Sequence, residues 1–413
     1  MSRPRGVDGK LRDQLSIMLP APAHSLFLRA CLHDAPGASE AWRRWSAETT
    51  RDGTSVRQAL AESLAPFLPL LAWNRERNGL GHEDERLSTF LKFARVTEEL
   101  RSAKYREACA SSLGALHADG IPMIVLKGAA LEELIYPAPA LRHSGDVDVL
   151  LHEADLARGV AAFVDLGWRQ FDDPILPSPL HLPPIVHPTG LPIELHRRLQ
   201  IPYYTLPYDA LWARSRPASV AGVEVRVLSP ADNLLHILAH AMHGYGEPIL
   251  RWVPDAWFII ARSPELDWST FLSTAASARL GLPLYVTLEY LAREIGAHVP
   301  PGVLAELGAA AARTGFRGRA AARLGARRWA TGSVRDIWAT PGGARHRLAR
   351  LCQRVFPPPV EFALRYDLPA GALPFYYLVR AARYTRRAPA STFSPYRALR
   401  APAHVRPGRP AQP

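Results

Sequence analysis

The 413-residue sequence predicts an α/β (α+β) fold, a small mixed β-sheet core flanked by N-terminal and C-terminal helical regions. Three observations carry that prediction. The run IPMIVL (121–126) is short and continuously apolar, as in a strand buried on both faces. Val147, Val149 and Leu151 alternate with Asp146, Asp148 and Leu150, the period-two pattern of a second strand. Before this stretch, Tyr105, Cys109, Leu113 and Leu116 recur at spacings of four and three, one apolar helix face.

Taken in order, residues 20–118 read as helices joined by short polar loops: one starting at 39–45, one over 55–72 and a long one after Gly81. Asp119-Gly120 ends the last, with glycine where a left-handed residue is needed. Lys127-Gly128 breaks the first strand, and 129–136 forms a short helix stopped by Pro137 and Pro139. A helix over 153–166 is closed by Gly167, and 168–171 fits a further strand. Pro188-Thr189-Gly190 turns between two extended arms that reach from 185 to 196. Ser229-Pro230-Ala231-Asp232 is a helix start, with Ser as cap and an acid three residues on. Helical patterns continue to about residue 350, and 375–383 can form one more short helix. The expected organisation is a helical region over 1–118, an α/β core over 119–228, a helical domain over 229–356, and a basic Pro/Arg-rich tail over 357–413, disordered after about 388.

The net charge of +12 is confined to one end. Residues 311–413 hold 20 Arg against Asp336, Glu361 and Asp367, a balance of +17 that leaves residues 1–310 at −5. Aromatic residues in the tail (Phe375, Tyr376, Tyr377, Tyr384) interleave with Arg380, Arg383, Arg386 and Arg387, so nucleic acid or an anionic membrane surface is a candidate partner there, beside a plain solvated tail. Three scattered cysteines without CxxC exclude a disulfide framework, and no apolar run reaches the length of a membrane span. The N-terminus lacks the apolar core of a signal peptide, so a cytoplasmic protein is expected.

Asp146-Val147-Asp148 is the most informative triplet. On a strand its two carboxylates share a face, about 6–7 Å apart at their Cα atoms. Two such anions repel unless a cation lies between them, and Mg²⁺ or Mn²⁺ is the hard cation that also binds phosphate. Glu194, with Ile193 and Leu195 facing the other way, is a candidate third ligand, and His196 shares its face. Lys127 and Gly128, where a strand meets a helix, are placed to hold phosphate oxygens, and Arg142 is a possible phosphate clamp. His236, His240 and His243 share one helix face at a spacing that could bind a metal, but with no Asp, Glu or Cys ligand within the motif a structural or substrate-lining role is favoured. His181 and His187 read as loop residues.

The stretch LKGAALEELIYPAPALRHSGDVDVLLHEADLARGVAAFVDLGW (126–168), with IELHRRL (193–199) and NLLHILAHAMHGYGEPILRWVPDAW (233–257), resembles the uncharacterised bacterial nucleotidyltransferase family proteins of the polymerase-beta-type superfamily. KG-x-x-L followed by D-x-D is also similar to abortive-infection toxin-type nucleotidyltransferases. The resemblance covers roughly 120–260 and is weaker at AWRRW (41–45). It implies a nucleotidyltransferase core in which Asp146 and Asp148 bind metal and nucleotide and Glu194 completes the site, and Asp255 matches an acid of the family's later block. The implied reaction transfers a nucleoside monophosphate from an NTP to a hydroxyl of a protein, small molecule or RNA end, releasing pyrophosphate. The superfamily carries Gly-Ser after its first strand, whereas this chain has Gly128-Ala129 and no hydroxyl there. A catalytically silent nucleotide- or partner-binding accessory protein, of a biosynthetic or toxin–antitoxin-like system, is the alternative.

Overall fold

The computed structural model describes residues 15–323 except 17, 52, 80–83, 171–180, 200–203, 205, 242–249 and 317. The basic tail and His243 lie outside the described residues. Seven strands form one mixed sheet: β1 (Met123–Val125), β2 (Val147–Leu151), β3 (Arg169–Gln170), β4 (Ile185–Val186), β5 (Pro192–His196), β6 (Arg216–Val220) and β7 (Val223–Val227), in the order β3-β4-β5-β2-β1-β7-β6. β2 lies antiparallel to β1 and parallel to β5, and β1 is parallel to β7.

The N-terminal helices are α1 (Pro22–Leu32), α2 (Gly37–Thr49), α3 (Val56–Ser63), α4 (Leu68–Arg77) and α5 (Glu85–Ala118). The single helix expected over 55–72 is divided. A 3₁₀ turn over Ala65–Phe67 separates α3 from α4, because Pro66 and Pro69 lack the N–H groups that would carry the hydrogen-bond ladder across. Within the core lie α6 (Lys127–Leu134), α7 (Leu156–Val164, entered through a 3₁₀ turn over Glu153–Asp155) and α8 (Tyr208–Arg214). Gly167 closes the α7 segment at φ +77°, as the sequence predicts. The C-terminal layer holds α9 (Pro230–Ala241), α10 (Trp252–Arg262), α11 (Trp268–Ser277), α12 (Gly281–Tyr290) and α13 (Pro301–Ala312). The start of α9 is the expected cap: Ser229 Oγ accepts from Asp232 N at 3.2 Å and donates to Asp232 Oδ2 at 2.7 Å.

The β6–β7 hairpin was not among the expected strands. Its turn, Ala221-Gly222, has positive φ at both residues (+51° and +77°), as a two-residue hairpin matching strand twist demands. The signal was present in the alternation of Val223, Val225 and Val227 with Glu224 and Arg226.

Both faces of the sheet are covered, which explains why every residue of β2 is buried. Val125, Val147, Val149, Leu151, Ile193 and Leu195 pack on one side with Tyr105, Cys109, Leu113 and Leu116 of α5 and Phe163 of α7. Ile124, Leu126 and Leu150 join the larger core on the other side, which unites the N-terminal helices with the C-terminal layer. Period-two geometry then places Asp148 and Leu150 on that second face, beneath the C-terminal helices. Among the described residues no helix is long and apolar enough to cross a membrane.

Candidate active site

Register assembles the site. Parallel pairing of β2 with β5 sets Asp148 opposite Glu194 and Leu150 opposite His196, so the acids and the imidazole share one face. Asp148 is 3% exposed, Glu194 8% and His196 0%. β5 is an interior strand, flanked by β4 and β2, so Glu194 is not a solvated edge residue. His196 Nε2 lies 2.7 Å from Asp148 Oδ1 and 3.5 Å from Glu194 Oε2. One ligand atom from each of Asp148, Glu194 and His196 falls within 4.8 Å of the others. Asp146, just before β2, stands outside that triplet, with its backbone oxygen accepting from Tyr105 Oη at 2.8 Å.

Lys127 opens α6 directly after β1, at φ +39°, a left-handed conformation that a side-chain-bearing residue adopts only when its surroundings impose it. Its Nζ sits 3.4 Å from Asp148 Oδ2. The lysine expected to meet phosphate therefore stands beside the acid expected to meet metal. Burial favours the neutral form of Asp148, but Lys127 and the His196 hydrogen bond outweigh it and hold the carboxyl well below the usual range. Asp146 behaves oppositely: burial, then the negative charges of Asp148 and Glu194, push its carboxyl up to about 6. Glu194 is lowered, its burial overcome by the hydrogen bond from His196. His196 is raised, since its hydrogen bonds to Asp148 and Glu194 exceed the cost of burying the imidazolium. The face thus gathers three carboxylates around one lysine and one imidazole, with Arg251 adding a further positive charge near Asp146.

Arg142 sits elsewhere than a phosphate clamp should. Its guanidinium is buried and paired through two bonds with Asp255 of α10, Nε to Oδ1 at 2.8 Å and Nη2 to Oδ2 at 2.9 Å. Tyr136 Oη donates to the same carboxylate at 2.7 Å, and Arg142 Nη1 donates to Ser144 Oγ at 2.8 Å. Arg142 thus ties the loop before the D-x-D to the C-terminal helices. Further cations hold the same loop: Arg101 Nη1 donates to the Ser144 oxygen at 2.6 Å and Arg251 Nη1 to the His143 oxygen at 3.0 Å. Gly128 suits this packing as well. A Cβ there would lie 3.0 Å from Ser144 Oγ and 3.1 Å from Arg142 Nη1, so those side chains would have to give by a few tenths of an ångström.

Beneath this loop Glu98 of α5 accepts from Arg101 Nε at 2.9 Å and lies 3.0 Å from His143 Nδ1. Burial raises its carboxyl, but the hydrogen bonds from His143 and Arg101 outweigh this and lower it. A carboxyl lowered on folding stabilises the fold above its unfolded value, about 4.3, and that contribution disappears as pH falls through the folded value. Glu98→Gln is therefore expected to lose about 1–3 kcal/mol at pH 7 in urea unfolding. The gap between variant and parent should narrow steadily below about pH 4.

His181 was expected to be a loop residue. It forms an isolated bridge with His196, its ring centroid 5.4 Å away, so it joins the site instead of serving only in a loop. His187 does remain in a loop, with Nε2 2.9 Å from Ser111 Oγ. On α9, His236 is fully buried and His240 half-buried, with ring centroids 6.0 Å apart. Burial, then the charge of Lys127, lowers His236 well below the usual imidazole range, so it is neutral. His240 and Lys127 each influence Asp148, which places this helix face over the acids.

No curated protein and no solved structure is significantly similar to the chain. The family described as "Uncharacterised nucleotidyltransferase" matches residues 65–296, more than half of the chain and all of the sheet with its site. The chain belongs to this family of uncharacterised nucleotidyltransferases.

Proposed function

We propose that the protein is a divalent-metal-dependent nucleotidyltransferase that moves a nucleoside monophosphate from an NTP to a hydroxyl acceptor. The observation that carries this reading is the buried triplet Asp148, Glu194 and His196, with ligand atoms within 4.8 Å of one another and Lys127 alongside. The donor set fits Mg²⁺ or Mn²⁺. Carboxylate oxygens suit both ions, and the carboxyl of Asp146 is raised by burial and, after it, by the charges of Asp148 and Glu194, which a cation would offset. Asp148 and Glu194 would hold the ion, with Asp146 near enough to sense their charge. When bound, the ion supplies Lewis-acid polarisation of the phosphoryl oxygens and neutralises the charge developing on pyrophosphate.

The chain's own residues supply the rest. Lys127, turned at the head of α6, is placed to bind phosphate oxygens, a task that does not need the absent hydroxyl at Ala129. Glu194, ionised and on the same face as Asp148, can take the proton of the acceptor hydroxyl. Holding the two substrates in line is most of the work in such a transfer, because phosphoryl chemistry depends mainly on positioning and charge.

The test is incubation of the full chain with each α-labelled NTP, a divalent ion and cell extract as the source of acceptor. Label is expected on a discrete acceptor. Glu194→Gln should lower the rate on the order of 10²-fold while nucleotide binding is largely kept. Metal-dependent NTP binding without any transferred label would instead identify a silent nucleotide-binding module.

A further inference from the structure

We infer that His196 Nε2 is a direct ligand, which makes this a mixed carboxylate–imidazole centre that selects Mn²⁺ and softer divalent ions over Mg²⁺ more strongly than an all-oxygen site would. The inference rests on the metal-site reading given above and adds the class of ion.

The first support is distance. Ligands about 2.0–2.2 Å from a common ion stand about 2.9–3.6 Å apart in octahedral or tetrahedral arrangements. His196 Nε2 is 2.7 Å from Asp148 Oδ1 and 3.5 Å from Glu194 Oε2, so small side-chain rotations suffice. The second is burial. Mg²⁺ dehydrates reluctantly and keeps several waters, whereas all three ligating side chains here are at least nine-tenths buried. Imidazole nitrogen suits Zn, Cu, Fe and Ni, and among the ions that favour carboxylate oxygen the transition ion Mn²⁺ accepts a nitrogen ligand more readily than Mg²⁺.

The third support is independent of the triplet. His236, fully buried on the helix that covers this face, has no hydrogen-bond partner at either ring nitrogen among the described residues. Its electrostatic neighbours are Lys127, Asp148 and His196. An unpaired buried polar group costs about 1–3 kcal/mol, and such groups call for an occupant. A metal-bound water or phosphate oxygen beside Asp148 and His196 supplies one. The competing arrangement is a permanent ion pair, in which Nε2 keeps its proton and hydrogen-bonds Asp148 with no ion present.

Most protein sites bind Mn²⁺ or Zn²⁺ ahead of Mg²⁺, so the ranking alone decides nothing; its dependence on His196 does. The full chain is loaded with Mn²⁺ alone and examined by electron spin-echo spectroscopy. Modulation from a directly bound ¹⁴N is expected, changing to the ¹⁵N pattern in protein made with ¹⁵N-histidine, and vanishing in His196→Gln with Mn²⁺ still bound. In competition titrations, His196→Gln should lower the Mn²⁺-over-Mg²⁺ preference by about tenfold or more. If that variant does not fold, His236→Leu replaces it: modulation retained supports His196, modulation lost overturns it. Bound Mn²⁺ without nitrogen modulation overturns the inference, as does an unchanged preference in His196→Gln or no Mn²⁺ binding at millimolar concentration. Nucleotide transfer with no nitrogen modulation would refute this inference alone; modulation without transfer would refute the proposed reaction and leave the metal centre standing.

Discussion

Asp148→Asn is expected to lower nucleotidyl transfer on the order of 10³-fold or more while the protein stays folded. Asp148 stands at the middle of the site, with Lys127 at 3.4 Å, His196 at 2.7 Å and Glu194 opposite it in the β2–β5 register. Its carboxyl is held ionised far below the usual range, so at any working pH it is an anion aimed at a cation. The amide keeps the shape and loses the charge. Because residues that share one site act as a unit, adding Asp146→Asn should cost little beyond the single change. Rates from single-turnover assays, with circular dichroism and urea unfolding as folding controls, check this. Turnover near that of the parent would remove Asp148 from the catalytic set.

The second large effect is on stability. Arg142→Met and Asp255→Leu, made singly, should each cost about 3–5 kcal/mol, because each strands an unpaired charge in the core. The double variant should recover much of that loss, since two apolar groups leave neither charge behind. Urea unfolding of all four proteins closes the cycle. A phosphate-clamp role for Arg142 predicts a different pattern: stability unchanged in Arg142→Met and nucleotide affinity reduced. Equal stability of single variants and parent would support the clamp and contradict the buried strut.

The contrast between these two residues shows what was legible before the structure. Asp148, Glu194 and His196 could be read because a strand has a fixed period of two. Once Ile193 and Leu195 must face a core, the residues between them and beside them must face the opposite way. The pairing of β2 with β5 turned that shared orientation into contact. Arg142 was misplaced because its partner lies 113 residues away on α10, and nothing local distinguishes a guanidinium awaiting phosphate from one awaiting a carboxylate. Asp255 was noticed as an acid, but without Arg142 its meaning was hidden. His181 was read as a loop residue because its place beside the site comes from an isolated bridge to β5, which no periodic pattern announces. On α9 the shared face of His236 and His240 was visible from their four-residue spacing, and the docking of that helix over the sheet gives the face its importance. The division of helix 55–72 was also readable in principle, since Pro66 and Pro69 stand in plain view.

The central claim is that one sheet face, carrying Asp148 and Glu194, is where metal and nucleotide meet. A crystal structure of the full chain with Mn²⁺ and a non-hydrolysable NTP tests it most directly, because anomalous scattering locates the ion without reference to any assumed ligand. The account predicts an Mn²⁺ peak at bonding distance, about 2.0–2.3 Å, from Asp148 and Glu194 oxygens, with the triphosphate against Lys127. An ion and nucleotide bound elsewhere, or a Glu194 carboxylate more than about 6 Å from every metal peak, would contradict it.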